Sequence, residues 1–234
     1  MPDGFTVNYL EYGERSAEPL VMILPPTGGT TILDRWYARK LCNMGRHVYI
    51  VENWTGFGDQ ETDFDLHNRL FGRANRALSF LAEKSGEKIS VLGTSLGALY
   101  GISMLARVPA VEKAVLIVGG VPFTEIIVNS DTQGMTFLRD IRRKKYGFAD
   151  DADYLAKLNA IFQWNDLDKL SAQDLPGKKL LLIEGLKDRG VPIENQKKLS
   201  ARFPEARVIT HNAGHLRTIL QSFFFDFNEV IAFL

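Results

Sequence analysis

One cysteine stands in 234 residues, Cys42, so the chain can build neither an internal disulfide nor a cysteine-rich zinc site. Near Trp36 and Leu41, its thiol is expected to pack as a small inert side chain. Net charge is lacking as well. Lys and Arg total 28, as do Asp and Glu, so no overall field recruits nucleic acid or an anionic membrane. The longest apolar stretches are strand-sized, well short of the ~20 residues of a spanning helix, and integral membrane association is not expected. Met1-Pro2-Asp3-Gly4 has neither the basic start nor the apolar run of a secretory signal, and a cytoplasmic location is the expectation. Gly28-Gly29 lacks the spacing of GxGxxG, and no Gly-Lys-Ser/Thr phosphate loop occurs. No cofactor and no metal are expected. There is no internal repeat and no low-complexity tract.

What is there, 45% hydrophobic and 24% charged residues, suits one α/β domain with a sizeable core. Phe5–Tyr12 reads as an edge strand. Leu20–Leu24, His47–Val51, Lys88–Leu92, Ala114–Val118, Lys179–Ile183 and Ala206–Thr210 follow as core strands, about seven in all. Helix-length segments such as Leu33–Met44, Leu66–Lys84 and Ala98–Arg107 alternate with them, the pattern of βα units in a mostly parallel sheet flanked by helices. Residues 121–177 break this rhythm. They read as a small helical lid, with periodic pieces at Met135–Tyr146 and Asp151–Phe162, between core segments 1–120 and 178–234. Leu216–Leu234 reads as one terminal helix whose broad apolar side docks on the sheet, with Phe225 off the stripe.

The chain is organised around Gly93-Thr94-Ser95-Leu96-Gly97, with a strand before it and a helix after it. A serine on so tight a strand-to-helix turn needs almost no side chain two positions to either side, because those backbones approach closely. The turn lifts the hydroxyl out of the sheet and sets the next N–H beside a reacting carbon. The hydroxyl then needs a base. Of four histidines, His47 begins a strand, His67 begins a helix and His211 abuts the last strand. His215 sits in the turn Asn212–Leu216, from which an imidazole can swing over the sheet edge. Asp188, in the loop after Lys179–Ile183, is the candidate to orient it. Ser95, Asp188 and His215 each follow a different strand at one end of the sheet, where ligands of open α/β sheets bind. Two N–H groups are needed for an oxyanion. Leu96 supplies one. Pro25 and Pro26 have none to give, so Thr27 is the first residue of its loop able to supply the other.

These motifs resemble those of the α/β-hydrolase family over nearly the full length of the chain. Leu24–Thr30 is similar to its oxyanion loop, Trp54–Asp59 to the glycine-rich loop after the next strand, and Gly93–Gly97 to its nucleophile elbow. Gly185–Pro192 resembles its acid loop and Gly214–His215 its histidine loop, in the family order Ser, Asp, His. Pro25-Pro26 replaces the common His-Gly, and the family's usual first edge strand is missing. The resemblance implies a serine hydrolase acting through an acyl-enzyme on a small-molecule acyl substrate, with a carboxylesterase as first choice. A thioesterase, a carbon–carbon bond hydrolase and a non-catalytic binding protein of the same fold are the alternatives. Trp54, Phe137, Phe148, Phe162 and Trp164 are candidates for the substrate pocket, although the insertion's aromatics also suit a private core of its own. The sequence says nothing of oligomeric state.

Overall fold

Strand β2 (Leu20–Leu24) has no solvent exposure at any of its five residues. Alternation along it sends Leu20, Met22 and Leu24 into one hydrophobic cluster and Val21 and Ile23 into another. At about 1.5–3 kcal/mol for each fully buried side chain, a run apolar on both faces is stable only between two helical layers. The computed structural model, which describes residues 6–16, 18–52, 62–164 and 166–234, supplies both layers. Trp54 and the loop Trp54–Asp59 lie outside the described residues.

Among the described residues seven strands form one sheet in the order β1-β3-β2-β4-β5-β6-β7. The others are β1 (Tyr9–Tyr12), β3 (Val48–Val51), β4 (Ile89–Thr94), β5 (Val111–Ile117), β6 (Lys179–Gly185) and β7 (Arg207–His211). Only β1 is antiparallel, pairing Tyr9 with Val51 and Tyr12 with Val48 on β3. The parallel registers, such as Leu24 with Gly93 and Ile117 with Ile183, bring the ends of β2, β4, β5 and β6 to one edge.

Helices α2 (Leu66–Ser85) and α3 (Leu96–Arg107) cover the first cluster with Phe71, Ala74, Leu78, Tyr100 and Met104. α1 (Ile32–Asn43) covers the second with Tyr37, Ala38 and Leu41. It starts on a capping box: Asp34 N–H donates to Thr31 Oγ1 at 3.3 Å, and Thr31 N–H donates to Asp34 Oδ2 at 2.7 Å. Cys42 on this helix is half-buried rather than enclosed.

Between β5 and β6 lies the helical insertion, α4 (Phe123–Asn129), α5 (Gln133–Tyr146) and α6 (Asp151–Ile161), then short 3₁₀ turns at Leu167–Lys169 and Ala172–Asp174. The periodicity had marked α5 and α6 but not α4, whose β-branched Thr124, Ile126, Ile127 and Val128 read equally well as a strand. Phe71 of α2 joins the insertion to the core, with ring centroids 4.8 Å from Phe123 and 5.4 Å from Phe162. Arg142 of α5 is fully buried and donates to His67 Nε2 (3.0 Å), Tyr154 Oη (2.9 Å) and the Asp63 carbonyl (2.6 Å). Burial, then the Arg142 charge, hold His67 well below its ordinary pKa, so it meets the guanidinium as a neutral acceptor.

Two further elements depart from the sequence reading. After β6 the chain forms α7 (Ile193–Arg202), a helix the sequence reading did not mark. The expected terminal helix is two, α8 (His215–Phe225) and α9 (Phe227–Phe233). They divide at Asp226, whose carboxylate pairs with His211 Nε2 at 2.6 Å. The division lets Val230, Ile231 and Leu234 reach the second cluster, while Leu216 and Phe224 stay exposed.

Candidate active site

Ser95 occupies the point where β4 becomes α3, with φ 54° and ψ −115°, a left-handed backbone that a residue with a side chain rarely adopts. The contacts that hold it there explain the glycines. A Cβ on Gly97 would stand 1.8 Å from the Leu24 carbonyl oxygen and 2.7 Å from that of Pro25; one on Gly93 would stand 2.5 Å from the Gly97 carbonyl oxygen. The elbow is therefore pressed directly against the loop that follows β2. Ser95 N–H donates to Ile117 O at 2.9 Å, which ties the elbow to the end of β5. The next residue on that strand's path, Val118, is also left-handed at φ 49° and fully buried. Backbone strain is thus concentrated at adjoining strand ends.

His215 is the first residue of α8, and its imidazole connects two partners. Nε2 lies 3.0 Å from Ser95 Oγ, and Nδ1 lies 2.8 Å from Asp188 Oδ2. A carboxylate can only accept, so Nδ1 carries the hydrogen and Nε2 is left to accept from the serine hydroxyl. Gly190 makes room for the ring, since a Cβ there would stand 2.8 Å from His215 Cγ. The imidazole keeps about a quarter of its surface exposed, while the Asp188 side chain has none.

Asp188 follows β6 by a turn in which its N–H donates to Gly185 O at 3.0 Å. Its Oδ1 accepts from the N–H groups of Gly190 (2.7 Å) and Val191 (3.0 Å). Its Oδ2 accepts from Gln196 Nε2 (3.0 Å) in addition to His215. Four donors thus converge on two oxygens. Gln196, buried on α7, is itself fixed at both ends: Nε2 also donates to Val191 O (2.7 Å) and Oε1 accepts from Gly185 N–H (3.0 Å). Sequence reasoning missed Gln196. Its one signal was an amide in the apolar series Gln196, Leu199, Phe203 of a helix directly after the acid loop.

In the loop after β2, Gly29 N–H donates to Pro26 O at 3.1 Å and Gly28 has φ 100°, a type II turn with Thr27 at its second position. Thr27 is exposed. Leu96 opens α3, where N–H groups have no partner within the helix. Neither N–H donates a hydrogen bond among the described residues.

The aromatic candidates of the insertion separate. Phe148 packs on Tyr154 (4.8 Å) and Phe64 (5.3 Å), and Phe162 packs on Phe71 and Phe123; both are buried in the first cluster. Trp164 is half-buried between Phe71 (6.0 Å) and the Arg107 guanidinium (4.9 Å). Phe137 is exposed at 66%. Among the described residues no group of three or more His, Cys, Asp or Glu is placed to hold a metal ion.

No protein-family model and no curated protein matches this chain. Solved structures do. The enol-lactonase from Burkholderia xenovorans is 16% identical with a TM-score of 0.60, over 97% of this chain and 94% of that one. The esterase Pf2001 from Pyrococcus furiosus is 18% identical with a TM-score of 0.61, over 100% and 94%. A lipase-esterase related protein from Clostridium acetobutylicum is 12% identical with a TM-score of 0.64, over 97% and 99%. Likeness at such identities establishes architecture. The chain has the α/β-hydrolase fold, with a mostly parallel seven-stranded sheet and a helical insertion.

Proposed function

We propose that the protein is a serine hydrolase that cleaves carboxylic esters of small to medium acyl groups through an acyl-enzyme. The observation that carries this reading is the unbroken hydrogen-bond line from Ser95 through His215 to Asp188, at 3.0 and 2.8 Å. In the proposed reaction His215 Nε2 takes the serine proton as Oγ attacks the carbonyl carbon. Asp188 holds the tautomer and balances the imidazolium. The N–H groups of Leu96 and Thr27 receive the oxyanion, neither donating to another group among the described residues. His215 returns the proton to the leaving alcohol, and water releases the acyl group by the same steps in reverse.

An ester is favoured because an esterase and an enol-lactonase are among the proteins of like fold. The insertion, residues 121–177, serves in this reading as a lid, with Trp164 and Phe137 as its candidates for substrate contact. Phe148 and Phe162 are better assigned to the packing that seats it.

The test is turnover of p-nitrophenyl esters from acetate to decanoate. The wild type is expected to prefer short to medium chains, and Ser95→Ala to lose activity by roughly 10³-fold or more. Near-wild-type turnover by purified, folded Ser95→Ala would refute the reading.

A further inference from the structure

The apolar side of α8 is only half used by the fold. Ile219 and Phe223 pack toward the second cluster. Leu216, Leu220 and Phe224, spaced i, i+4 and i+8, form a line on the outer side, with Leu216 68% and Phe224 65% exposed. The line continues onto α1. Phe223 lies 5.4 Å from Phe224 and 5.2 Å from Trp36, and Ile32, one turn before Trp36 on α1, is 62% exposed. Single exposed apolar side chains are ordinary, but a contiguous set shared by two helices marks a contact surface.

Topology places this surface beside the candidate active site. α1 follows the end of β2, and α8 begins at His215 itself, so both helices start at the sheet edge that bears Ser95. Ile32 and Leu216 stand in their first turns, and the apolar line runs from the site's rim down one flank of the molecule.

The charges on the two helices select the partner. α1 and α8 carry Arg35, Arg39, Lys40 and Arg217, and their one carboxylate, Asp34, is buried in the α1 capping box. None of the four cations is within ion-pair distance of a carboxylate among the described residues. The overall balance of 28 against 28 conceals this local excess, because the compensating carboxylates lie on other elements. A second copy docked by the same face would set these cations against one another. We propose that the α1–α8 face docks on an anionic phospholipid bilayer, its apolar line entering the headgroup region and its cations meeting lipid phosphates. The attachment is peripheral, since no described helix is long and apolar enough to cross a membrane. Docking would hold the Ser95 edge where amphiphilic esters concentrate; that consequence rests on the hydrolase reading, whereas the docking does not.

The experiment is co-sedimentation of the full chain with vesicles, read without any turnover. Binding is expected to vesicles of phosphatidylcholine mixed with phosphatidylglycerol at low salt, to fall at high salt, and to be absent with phosphatidylcholine alone. Arg39→Glu and Lys40→Glu should each weaken partitioning about fivefold or more, and Phe224→Ser about tenfold. All three sites are exposed, so unfolding temperature should not change. No binding to the anionic vesicles would overturn the proposal, as would binding indifferent to all three variants. A dimer in sedimentation velocity that Phe224→Ser dissolves, without vesicle binding, would assign the face to a second copy instead.

Discussion

The acid loop and the oxyanion loop serve the same serine in the proposed reaction, yet their polar groups are left in contrary states. Asp188 has no exposed side-chain surface, and both its oxygens are occupied, by Gly190, Val191, Gln196 and His215. Thr27, in an exposed turn, has an N–H that donates to nothing described. The difference follows from when each charge exists. A carboxylate present throughout the cycle needs its donors permanently, or its burial costs several kcal/mol. An oxyanion exists only in the transition state, and donors already engaged elsewhere would have to be broken free to meet it.

The sharpest way to break this comparison is to delete the waiting donor alone. The second position of a type II turn suits proline, so Thr27→Pro should keep the fold while removing the N–H. We expect kcat/KM on a short ester to fall roughly 10²–10³-fold, and Thr27→Ala, which keeps the N–H, to stay near wild type. Equal activities in the two variants would remove Thr27 from the mechanism.

The acid side predicts a smaller loss. Gln196→Leu leaves three of the four donors on Asp188 but frees the carboxylate to rotate, and kcat should fall roughly 10- to 100-fold with KM little changed. Gln196→Glu supplies a signature that mere loosening would not. A second carboxylate beside Asp188 stabilises the imidazolium, so the rise of rate with pH should move to higher pH than in wild type. An unmoved profile would mean that Gln196 only packs.

Asp168 extends the comparison to a carboxylate without such a cradle. Among the described residues its one donor is the Phe123 N–H at 3.2 Å, and burial lifts its pKa from 3.8 to about 6. Because the folded value lies above the unfolded one, its contribution is fullest below about pH 4 and is lost as pH rises through about 6. Asp168→Asn should therefore raise the unfolding temperature near pH 8 (~pH 8 lies above both values) and give no such gain near pH 4. With its partial exposure screening the charge, the gain is on the order of 1 kcal/mol. Destabilisation near pH 8 would show that the carboxylate's attraction to Arg202 outweighs its burial.

Sequence alone reached some of this and not the rest, for physical reasons. Leu20–Leu24 and Lys179–Ile183 are legible because a strand covered on both faces must be apolar at successive positions. The residues that meet at the site are legible because each follows a different strand at one edge of the sheet, and because the tight turn at Ser95 demands its flanking glycines, Gly97 standing against the Leu24 carbonyl. α9 was not separated from α8, since their apolar periods join smoothly and only the His211–Asp226 pair marks the division. For Phe148 and Phe162, which stand just past the ends of α5 and α6, an aromatic reads the same whether it roofs a pocket or fills a core, and burial alone distinguishes the two. The face shared by α1 and α8 was hidden for a related reason. An apolar stripe predicts that something covers it, and here the sheet covers only part.

The most direct test of the proposed chemistry is labelling by a fluorophosphonate, followed by mass spectrometry of the peptide that contains Ser95. An activated serine should take the phosphonyl group on Ser95 in the wild type, and His215→Ala should react slower by roughly 10³-fold or more. A wild-type protein that carries no adduct on Ser95, or a His215→Ala variant labelled at the wild-type rate, would contradict a serine activated through His215 and Asp188.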